Sequence, residues 1–187
     1  MTSAPLVIIR GNSASGKSTV ARRVQREQPR DAVAVIGQDH VRREMLWAHE
    51  APDSHTPGLI ATMARYCLGV GRITVVEGIF GREWYGDMFS RLLREHPGPS
   101  LVYYLDVSLA ETQRRHAGKP IADLVTDAEL ASWYRVHDVL GAPGEVVFGE
   151  DMSEDAMVAR ILADLARLRA GAEGGGQRTG SGAVIRE

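Results

Sequence analysis

The sequence contains little cysteine, lysine or asparagine, and it has no long apolar run. Its one cysteine, Cys67, cannot form an intramolecular disulfide, and a CxxC pair for zinc or redox chemistry is excluded. No stretch approaches the roughly 18 consecutive apolar residues of a membrane-spanning helix. The opening residues MTSAPLVIIR lack the basic segment and the apolar length of a signal peptide. These absences predict a reduced, cytoplasmic protein that does not associate with a membrane.

An excess of charge of one sign is absent as well. The 187 residues include 22 lysines and arginines and 24 aspartates and glutamates, which gives a net charge of −2. A protein that coats nucleic acid regardless of sequence needs a large basic excess, so nucleic acid is not the expected partner. With 44% apolar and 25% charged residues, the composition is typical of a globular protein large enough to fold without disulfides or metal.

Short apolar runs alternate with helical patterns along the chain. Continuous runs rich in β-branched residues are typical of strands that are covered on both faces, as in a parallel sheet. Five such runs predict strands: Leu6–Ile9, Ala32–Ile36, Ile73–Val76, Leu101–Leu105 and Glu145–Phe148. The alternation of strands and helices predicts a doubly wound α/β domain with right-handed crossovers, within residues 1–170. The glycine-rich residues 171–187 are predicted to form a mobile extension.

Apolar residues at helical spacing predict the helices between these strands. The first helix is expected from about Lys17 to Gln28, and the last begins after an N-cap at Ser153. The recurring apolar residues are expected to face the core: Leu59, Met63 and Cys67; Trp84, Met88 and Leu92; and Val158, Leu162, Leu165 and Leu168.

The first predicted strand leads into a glycine-rich loop. Residues 11–18, GNSASGKS, match the phosphate-binding pattern G-x-x-x-x-G-K-[ST] at every fixed position, between a strand and a helix. The glycines allow the backbone to turn tightly, so that successive N–H groups face an anion at the helix N-terminus. In such loops the lysine reaches the β- and γ-phosphates, and the serine hydroxyl can ligate Mg²⁺. The predicted ATP-binding residues are Gly11, Asn12, Ser13, Ala14, Ser15, Gly16, Lys17, Ser18, Thr19 and, from a later segment, Lys119.

Two common classes of nucleotide-binding protein do not fit this chain. A GTPase switch normally carries an Asn-Lys-x-Asp motif, but the only asparagine is Asn12, inside the phosphate loop. A mechanical ATPase usually has a strand that ends in a run of acids and has partner domains to move. Here the third strand is followed by one acid, Glu77, and the chain is short.

A kinase with a small acceptor needs a carboxylate across the sheet from the phosphate loop, which holds the acceptor hydroxyl. Asp39 directly follows the second strand in VAVIGQDHVRREML, and Arg42 lies three residues later on the same helical face. This pair suits a hydroxyl and a nearby anionic or polar group of an acceptor. Alternatively, Asp39 is the N-cap of the next helix, and both interpretations can hold together.

The phosphate loop, the D-x-x-R after the second strand and the VVEG strand resemble those of small P-loop kinases. This group includes polynucleotide 5′-kinase domains, zeta-toxin-like kinases and chloramphenicol-phosphotransferase-like enzymes. Bacterial P-loop kinases with I-R-G-N-S-x-S-G-K-S and Q-D-x-x-R-R-E-M-L are the most similar, over roughly residues 5–168. The resemblance implies a five-stranded sheet of order 2-3-1-4-5, with Asp39 as general base and Arg42 at the acceptor or the transferring phosphate. Glu77 occupies a position where many members have aspartate, and it would hold a magnesium water or the acceptor hydroxyl.

A helix predicted from about Ser108 carries Arg114 and Arg115 in its last turn, before Gly118-Lys119-Pro120. In related kinases the arginines at this point lie on a lid that closes over ATP, and the predicted lid spans approximately residues 112–140. The two arginines are equal candidates, and both could instead complement the helix dipole. Trp133 and Tyr134, on the second arm of the lid, either face the cleft or pack in the core. Three histidines, His40, His116 and His137, lack metal-ligand spacing.

The sequence therefore predicts an ATP- and Mg²⁺-dependent phosphotransferase that acts on a hydroxyl of a nucleoside, sugar, antibiotic or related small molecule. Acceptor specificity is expected between Arg42 and about Trp84. A polynucleotide 5′-kinase or toxin-type kinase is one alternative, and a nucleotide-binding regulatory module without transfer is another. The predicted catalytic residues are Lys17, Asp39, Arg42, Arg114 and Arg115; those for substrate are Asp39, Arg42, Arg43 and Glu77; and those for metal are Ser18 and Glu77.

Overall fold

A computed structural model describes residues 3–117 and 126–174 of the chain. Its five strands form one parallel sheet of order β2-β3-β1-β4-β5, which confirms the predicted topology. The strands are β1 (Leu6–Gly11), β2 (Val33–Gly37), β3 (Ile73–Gly78), β4 (Ser100–Asp106) and β5 (Val146–Gly149). Each strand begins and ends within two residues of the predicted strand.

Helices connect the strands as a doubly wound fold requires. They are α1 (Lys17–Arg26), α2 (Thr56–Gly69), α3 (Arg82–Glu95), α4 (Leu109–Ala117), α5 (Asp127–Trp133) and α6 (Glu154–Gly174). A short π-helix, His40–Met45, follows β2. The last helix runs four residues past the predicted domain end at residue 170, and residues 175–187 of the predicted extension lie outside the described part of the chain.

The sheet has a covered core on each face. On one face α1 and α6 pack with Val20, Val24, Ile161 and Leu165 against the strands. On the other face α2 and α3 pack around Phe80, which makes edge-on ring contacts at 5.0 Å with both Tyr85 and Phe89. Because both faces are covered, every residue of β1 is buried, which explains the apolar run Leu6–Ile9 at its start.

The deepest core positions of two helices lie one residue beyond most of the predicted ones. In α2 they are Ile60, Ala64 and Leu68, while the predicted Leu59, Met63 and Cys67 are half-buried beside them. In α3 they are Tyr85, Phe89 and, as predicted, Leu92, while Trp84 and Met88 pack at the edge of the core. Both helices carry apolar residues on two adjacent stripes, so sequence spacing alone does not determine how each helix is rotated against the sheet. The last helix faces the core with Val158 and Leu165, as predicted, and Ser153 caps it through the N–H of Ala156.

The parallel register brings three strand ends to one edge of the sheet. Glu77 of β3 lies beside Ile9 of β1 and Gly37 of β2. The loops that follow these strands therefore meet at this edge, as is typical of open α/β folds. Among the described residues, no helix is long and apolar enough to cross a bilayer.

Candidate active site

The phosphate loop connects β1 to α1. Each of its two fixed glycines is required for a different structural reason. A Cβ on Gly11 would lie 2.5 Å from the carbonyl oxygen of Leu105, so only a bare backbone fits against β4. Gly16 adopts a φ of +101°, a left-handed conformation that side chains disfavour. Lys17 is buried, and its Nζ donates a hydrogen bond of 2.7 Å to the carbonyl oxygen of Asn12. The loop thus presents backbone N–H groups and one cation at the N-terminus of α1, which is an anion site.

Ser18 and Glu77 meet beside this loop, although 59 residues separate them in the chain. The Ser18 hydroxyl donates to Glu77 Oε2 at 3.0 Å. Burial raises the pKa of Glu77, while the Lys17 charge and the Ser18 hydrogen bond act in the opposite direction. A Cβ on Gly37 would lie only 2.8 Å from Glu77 Oε1, so the carboxylate packs over bare backbone of β2. A hydroxyl and a carboxylate are hard oxygen ligands, and this pair fits Mg²⁺ beside a phosphate site.

Asp39 directly precedes the π-helix, in its N-cap position, but its side chain makes no capping hydrogen bond. Its Oδ1 atom instead contacts two arginines: Nη2 of Arg42 and Nε of Arg43, each at 3.2 Å. The structure therefore gives no support to the capping interpretation of this carboxylate. Such a wide helical turn is often found at functional sites, and here it brings two guanidinium groups onto one oxygen.

Three cavities surround the loop. The loop cavity, of about 190 Å³, is lined by Lys17, Ser18, Asp39, Glu77 and neighbouring residues. The arginine cavity, of about 430 Å³, is lined by Gln38, Asp39, Arg42, Arg43, Glu50, Ile79, Gly81, Trp84, Ser132, Trp133 and Arg135. The lid cavity, of about 500 Å³, lies between the loop residues Ala14–Gly16 with Thr19, the end of α4 and the start of α6. Asp39 lines both the loop cavity and the arginine cavity, so its carboxylate faces the crevice between them.

The two candidate arginines of α4 differ in what they contact. Among the described residues, Arg114 donates to Glu111 alone, through two hydrogen bonds of 2.6 Å, and its side chain is mostly exposed. Arg115 also donates to Glu111, but it reaches the phosphate loop at the carbonyl oxygen of Ser15, at 3.4 Å. The two arginines lower the pKa of Glu111 to about 2. Arg115 is therefore the arginine that the fold brings to the loop.

The segment after α5, which the sequence predicts as the second arm of the lid, is hydrogen-bonded to the phosphate loop through the only asparagine of the chain. Asn12 Nδ2 donates to the carbonyl oxygen of Arg135 at 2.8 Å, and the N–H of Arg135 donates to Asn12 Oδ1 at 2.9 Å. Trp133 lines both the loop cavity and the arginine cavity. Tyr134 turns away, because its hydroxyl donates to the carbonyl oxygen of Val107. Of the two aromatic candidates, Trp133 alone lines a cavity at this site.

Arg10, the fifth residue of β1, is completely buried and holds the walls of the site together. It donates to the carbonyl oxygen of Phe80 at 2.6 Å and forms an ion pair of 2.7 Å with Asp138. The Asp138 carboxylate in turn accepts the N–H of Arg82 at 2.9 Å. Burial lowers the pKa of Arg10, and the Asp138 charge opposes that effect. This network joins the centre of the sheet to the start of α3 and to the chain that carries Arg135.

We expect Arg10→Met to lower the free energy of unfolding by about 3 kcal/mol, because it leaves the Asp138 carboxylate and a buried carbonyl without their donor. Chemical denaturation monitored by circular dichroism measures this change. Arg91→Met on α3 is the matched control, since Arg91 is exposed and its loss is expected to change stability by less than about 0.5 kcal/mol. Equal effects of the two substitutions would contradict a structural role for the buried pair.

Comparison with known proteins identifies the family of this chain. A family model described as an AAA domain (AAA_33) matches residues 6–143, which include the phosphate loop, Asp39, Glu77 and both candidate arginines. The chain is a member of the AAA_33 family. No functionally curated protein matches the sequence.

Solved structures show that this AAA_33 domain has the fold of small P-loop kinases. An APS kinase from Mycobacterium tuberculosis, solved with AMPPNP and APS, matches with a TM-score of 0.70 and 18% identity, over 89% of this chain and 99% of that one. A gluconokinase from Sinorhizobium meliloti matches with a TM-score of 0.63 and 17% identity, over 92% and 98% of the two chains. A chain of the Pnkp1/Rnl/Hen1 RNA repair complex matches at 0.54 and 16% identity, over 92% of this chain and 46% of that one.

Most predicted site residues of the AAA_33 domain line one of the three cavities. Gly11 and Asn12 line none of them, and Lys119 lies outside the described residues, as do the other residues of 118–125. Histidines 40 and 137 pair with Glu44 and Asp106, whereas His116 is buried and lines the loop cavity. Within residues 3–117 and 126–174, no cluster of three or more histidine, cysteine, aspartate or glutamate side chains could hold a metal.

Three residues of the site were not predicted by the sequence analysis. Gln38 and Glu50 hydrogen-bond to each other in the arginine cavity, and Arg135 enters it from the segment after α5. Two sequence signals pointed toward them: Gln38 opens the Q-D-x-x-R-R-E-M-L motif, and Asn12 is the sole asparagine of the chain. Its partner, the main chain of Arg135, could not be found without the fold.

Proposed function

We propose that this AAA_33 domain is a P-loop kinase that transfers the γ-phosphoryl group of ATP to a hydroxyl group of a small molecule. The observation that carries the proposal is that the Asp39 carboxylate lines both the loop cavity and the separate arginine cavity of about 430 Å³. A cavity of that size suits a metabolite rather than a polymer. The fold shared with an APS kinase and a gluconokinase supports the same class of reaction.

The nucleotide would lie along the phosphate loop. Backbone N–H groups of the loop and Lys17 bind the phosphates, and the nucleoside occupies the lid cavity near Thr19 and Met157. Arg115 already contacts the loop at Ser15, so it is the arginine of α4 best situated to bind the phosphates.

The oxygen pair of Ser18 and Glu77 would hold Mg²⁺ next to the phosphates. When bound, the ion would neutralise charge on the phosphate oxygens. One or two carboxylates, completed by water and substrate phosphates, are typical of such magnesium sites.

In the transfer step, the protein would take up one proton. Oδ2 of Asp39 accepts the proton of the acceptor hydroxyl while Arg42 and Arg43 hold Oδ1. The hydroxyl oxygen forms a bond to the γ-phosphorus, and the bond from that phosphorus to the β-phosphate oxygen breaks with its electron pair leaving on ADP. Lys17 and Arg115 stabilise the charge that spreads over the phosphoryl oxygens.

Coupled measurement of ADP formation tests this function directly. The full chain is supplied with ATP, Mg²⁺ and, in turn, a broad panel of hydroxyl compounds that includes sugars, sugar acids, nucleosides and aminoglycosides. A kinase shows a stimulated rate with one class of compound and a phosphorylated product by mass spectrometry. ATP binding without stimulation by any compound would instead identify a nucleotide-binding module that transfers no phosphate.

The raised pKa of Glu77 predicts a pH-dependent requirement for Mg²⁺. Protons and Mg²⁺ compete for the carboxylate, and a raised pKa brings protonation closer to neutral pH. The Mg²⁺ concentration at half-maximal ADP formation is therefore expected to rise as pH falls toward the titration range of this carboxylate, which lies above that of an ordinary glutamate. Titrations of Mg²⁺ at several pH values measure it.

Glu77→Gln serves as the test of this assignment. The variant is expected to need about 10- to 100-fold more Mg²⁺ and to lose most of the pH dependence, because the amide does not titrate. Glu83→Gln is a control for changes of a carboxylate near the site, since Glu83 lies on the exposed side of α3. An unchanged Mg²⁺ requirement in Glu77→Gln would rule out this residue as a ligand.

A further inference from the structure

The arginine cavity contains more cationic groups than one catalytic carboxylate requires. Arg42, Arg43 and Arg135 line it, together with the carboxylates of Asp39 and Glu50. Arginine side chains only donate hydrogen bonds, and their planar forks match carboxylate, phosphate and sulfate groups. The same cavity also carries acceptor groups on Gln38, Asp39 and Glu50, so a hydroxyl compound that bears an anionic group finds partners for both of its parts.

Arg42 is held in the wall of the cavity by two carboxylates. Its side chain is only 14% exposed, Nη2 donates to Asp39 Oδ1, and Nε lies 3.2 Å from Glu50 Oε2. The Nε contact with Glu50 forms an ion pair but lacks hydrogen-bond geometry. A partly buried guanidinium with an imperfect partner gains from a ligand oxyanion that binds at the cavity wall.

Arg135 faces the cavity from the opposite side and is held in place before any ligand binds. Its main chain is fixed by the two hydrogen bonds of Asn12. Its guanidinium lies over the ring of Trp84, 6.0 Å from the centroid, and pairs with Glu83 at 3.0 Å. Glu83 is half-exposed, so this pair is weak and can be exchanged for a ligand anion.

The proton transfer itself creates a need for an anion. Asp39 is the shared partner of Arg42 and Arg43, and it becomes neutral when it accepts the hydroxyl proton. Arg43 would then lose its carboxylate partner, and Arg42 would keep its ion pair with Glu50, so the two guanidinium groups together lose charge pairing. A negative group on the acceptor keeps them paired throughout the reaction.

We infer that the acceptor is a small hydroxyl compound that also carries a carboxylate, phosphate or sulfate group, bound by Arg42, Arg43 and Arg135. This inference rests on the proposed kinase function, and it narrows the acceptor from any alcohol to an anionic one. The hydroxyl of such a compound points to Asp39, and its anionic group lies on the side of the cavity away from the phosphate loop.

Matched pairs of compounds test the charge requirement. Gluconate is compared with glucose, glycerate with glycerol and ribose 5-phosphate with ribose, so that the pairs separate carboxylate from phosphate recognition. ADP formation is measured for each compound and for a single-stranded oligonucleotide with a 5′-hydroxyl. We expect the anionic member of at least one pair to have at least about 10-fold higher kcat/KM than its neutral partner. Preference for the neutral members, or activity on the oligonucleotide alone, would overturn the inference.

Substitutions at the arginines identify the site. Arg135→Gln is expected to raise KM for the anionic compound by about 10- to 100-fold, with KM for its neutral partner changed by less than about threefold. Arg42→Gln is expected to raise KM for the anionic compound to a similar extent and also to lower kcat for both compounds, because Arg42 holds Asp39. Arg135→Lys keeps the charge but not the planar fork of donors, and its KM for the anionic compound is expected to lie between those of the unmodified protein and Arg135→Gln. Arg91→Gln, on the exposed surface of α3, is the control, and thermal unfolding verifies that each variant is folded. Equal losses for both members of a pair would contradict anion recognition.

Binding measurements separate this inference from the proposed function. Tryptophan fluorescence is titrated with the same compounds in the presence of AMPPNP and Mg²⁺, which fill the phosphate loop, because Trp84 and Trp133 line the cavity. Anion binding that Arg42→Gln abolishes, without any ADP formation, would support the anion site and contradict the kinase. ADP formation with neutral compounds only would support the kinase and overturn the anion site. The absence of both binding and transfer with every anionic compound would also overturn the anion site.

Discussion

Lys17→Ala is expected to abolish acceptor-stimulated ADP formation, with kcat/KM reduced by at least about 10²- to 10³-fold. Lys17 is buried at the N-terminus of α1 and is directed into the loop cavity by its hydrogen bond to Asn12. A cation held there contributes to phosphate binding and, because charge develops on the phosphoryl oxygens, contributes more in the transition state. Alanine removes the charge without changing the glycines that shape the loop.

The measurement combines steady-state kinetics with calorimetric titration of AMPPNP. We expect Lys17→Ala to weaken AMPPNP binding as well as turnover, since the lysine contacts the phosphates of both the bound and the reacting nucleotide. Arg26→Ala is the matched control: it removes a cation from the exposed far end of the same helix. Turnover within about threefold of the unmodified protein in Lys17→Ala would contradict nucleotide binding at this loop.

Asp39→Asn is expected to lower kcat by about 10²- to 10⁴-fold while AMPPNP binding changes by less than about threefold. The amide has nearly the same shape as the carboxylate but cannot take up the hydroxyl proton. Asp39 lies outside the lid cavity, so the nucleoside contacts are not affected. The combination of lost turnover and retained nucleotide binding is specific to a residue that acts on the acceptor.

Two further variants test this prediction. Asp87→Asn, an exposed carboxylate of α3, is the control for the substitution itself and is expected to retain full turnover. Asp39→Glu keeps the proton-accepting group but displaces it, and a partial recovery of turnover relative to Asn is expected. Full activity of Asp39→Asn would show that this residue is not the base.

The local parts of the site could be predicted from the sequence because their chemistry lies within a few consecutive residues. The loop from Gly11 to Ser18 has fixed spacing, and both glycines have the close approach or the left-handed φ that their identity suggested. Asp39 and Arg42 likewise follow one strand end, and a single turn of helix brings them together. The apolar strands predicted the parallel sheet, and the resemblance supplied its order.

The remaining contacts join residues that are far apart in the chain. The Ser18–Glu77 pair spans 59 residues and depends on the register between β1 and β3. Arg135 reaches the arginine cavity through Asn12, 123 residues earlier. The difference between Arg114 and Arg115 follows from how α4 is rotated against the loop, as do the one-residue shifts of the core stripes in α2 and α3.

The sequence by itself determined the anion-binding loop, the carboxylate after the second strand and the alternating α/β order, because backbone geometry and short-range spacing are written in neighbouring residues. The tertiary structure alone decided which side chains face that carboxylate across the crevice. Helix rotation and strand register are set by packing over the whole core, so three arginines from two distant segments become one cavity wall only in the folded chain.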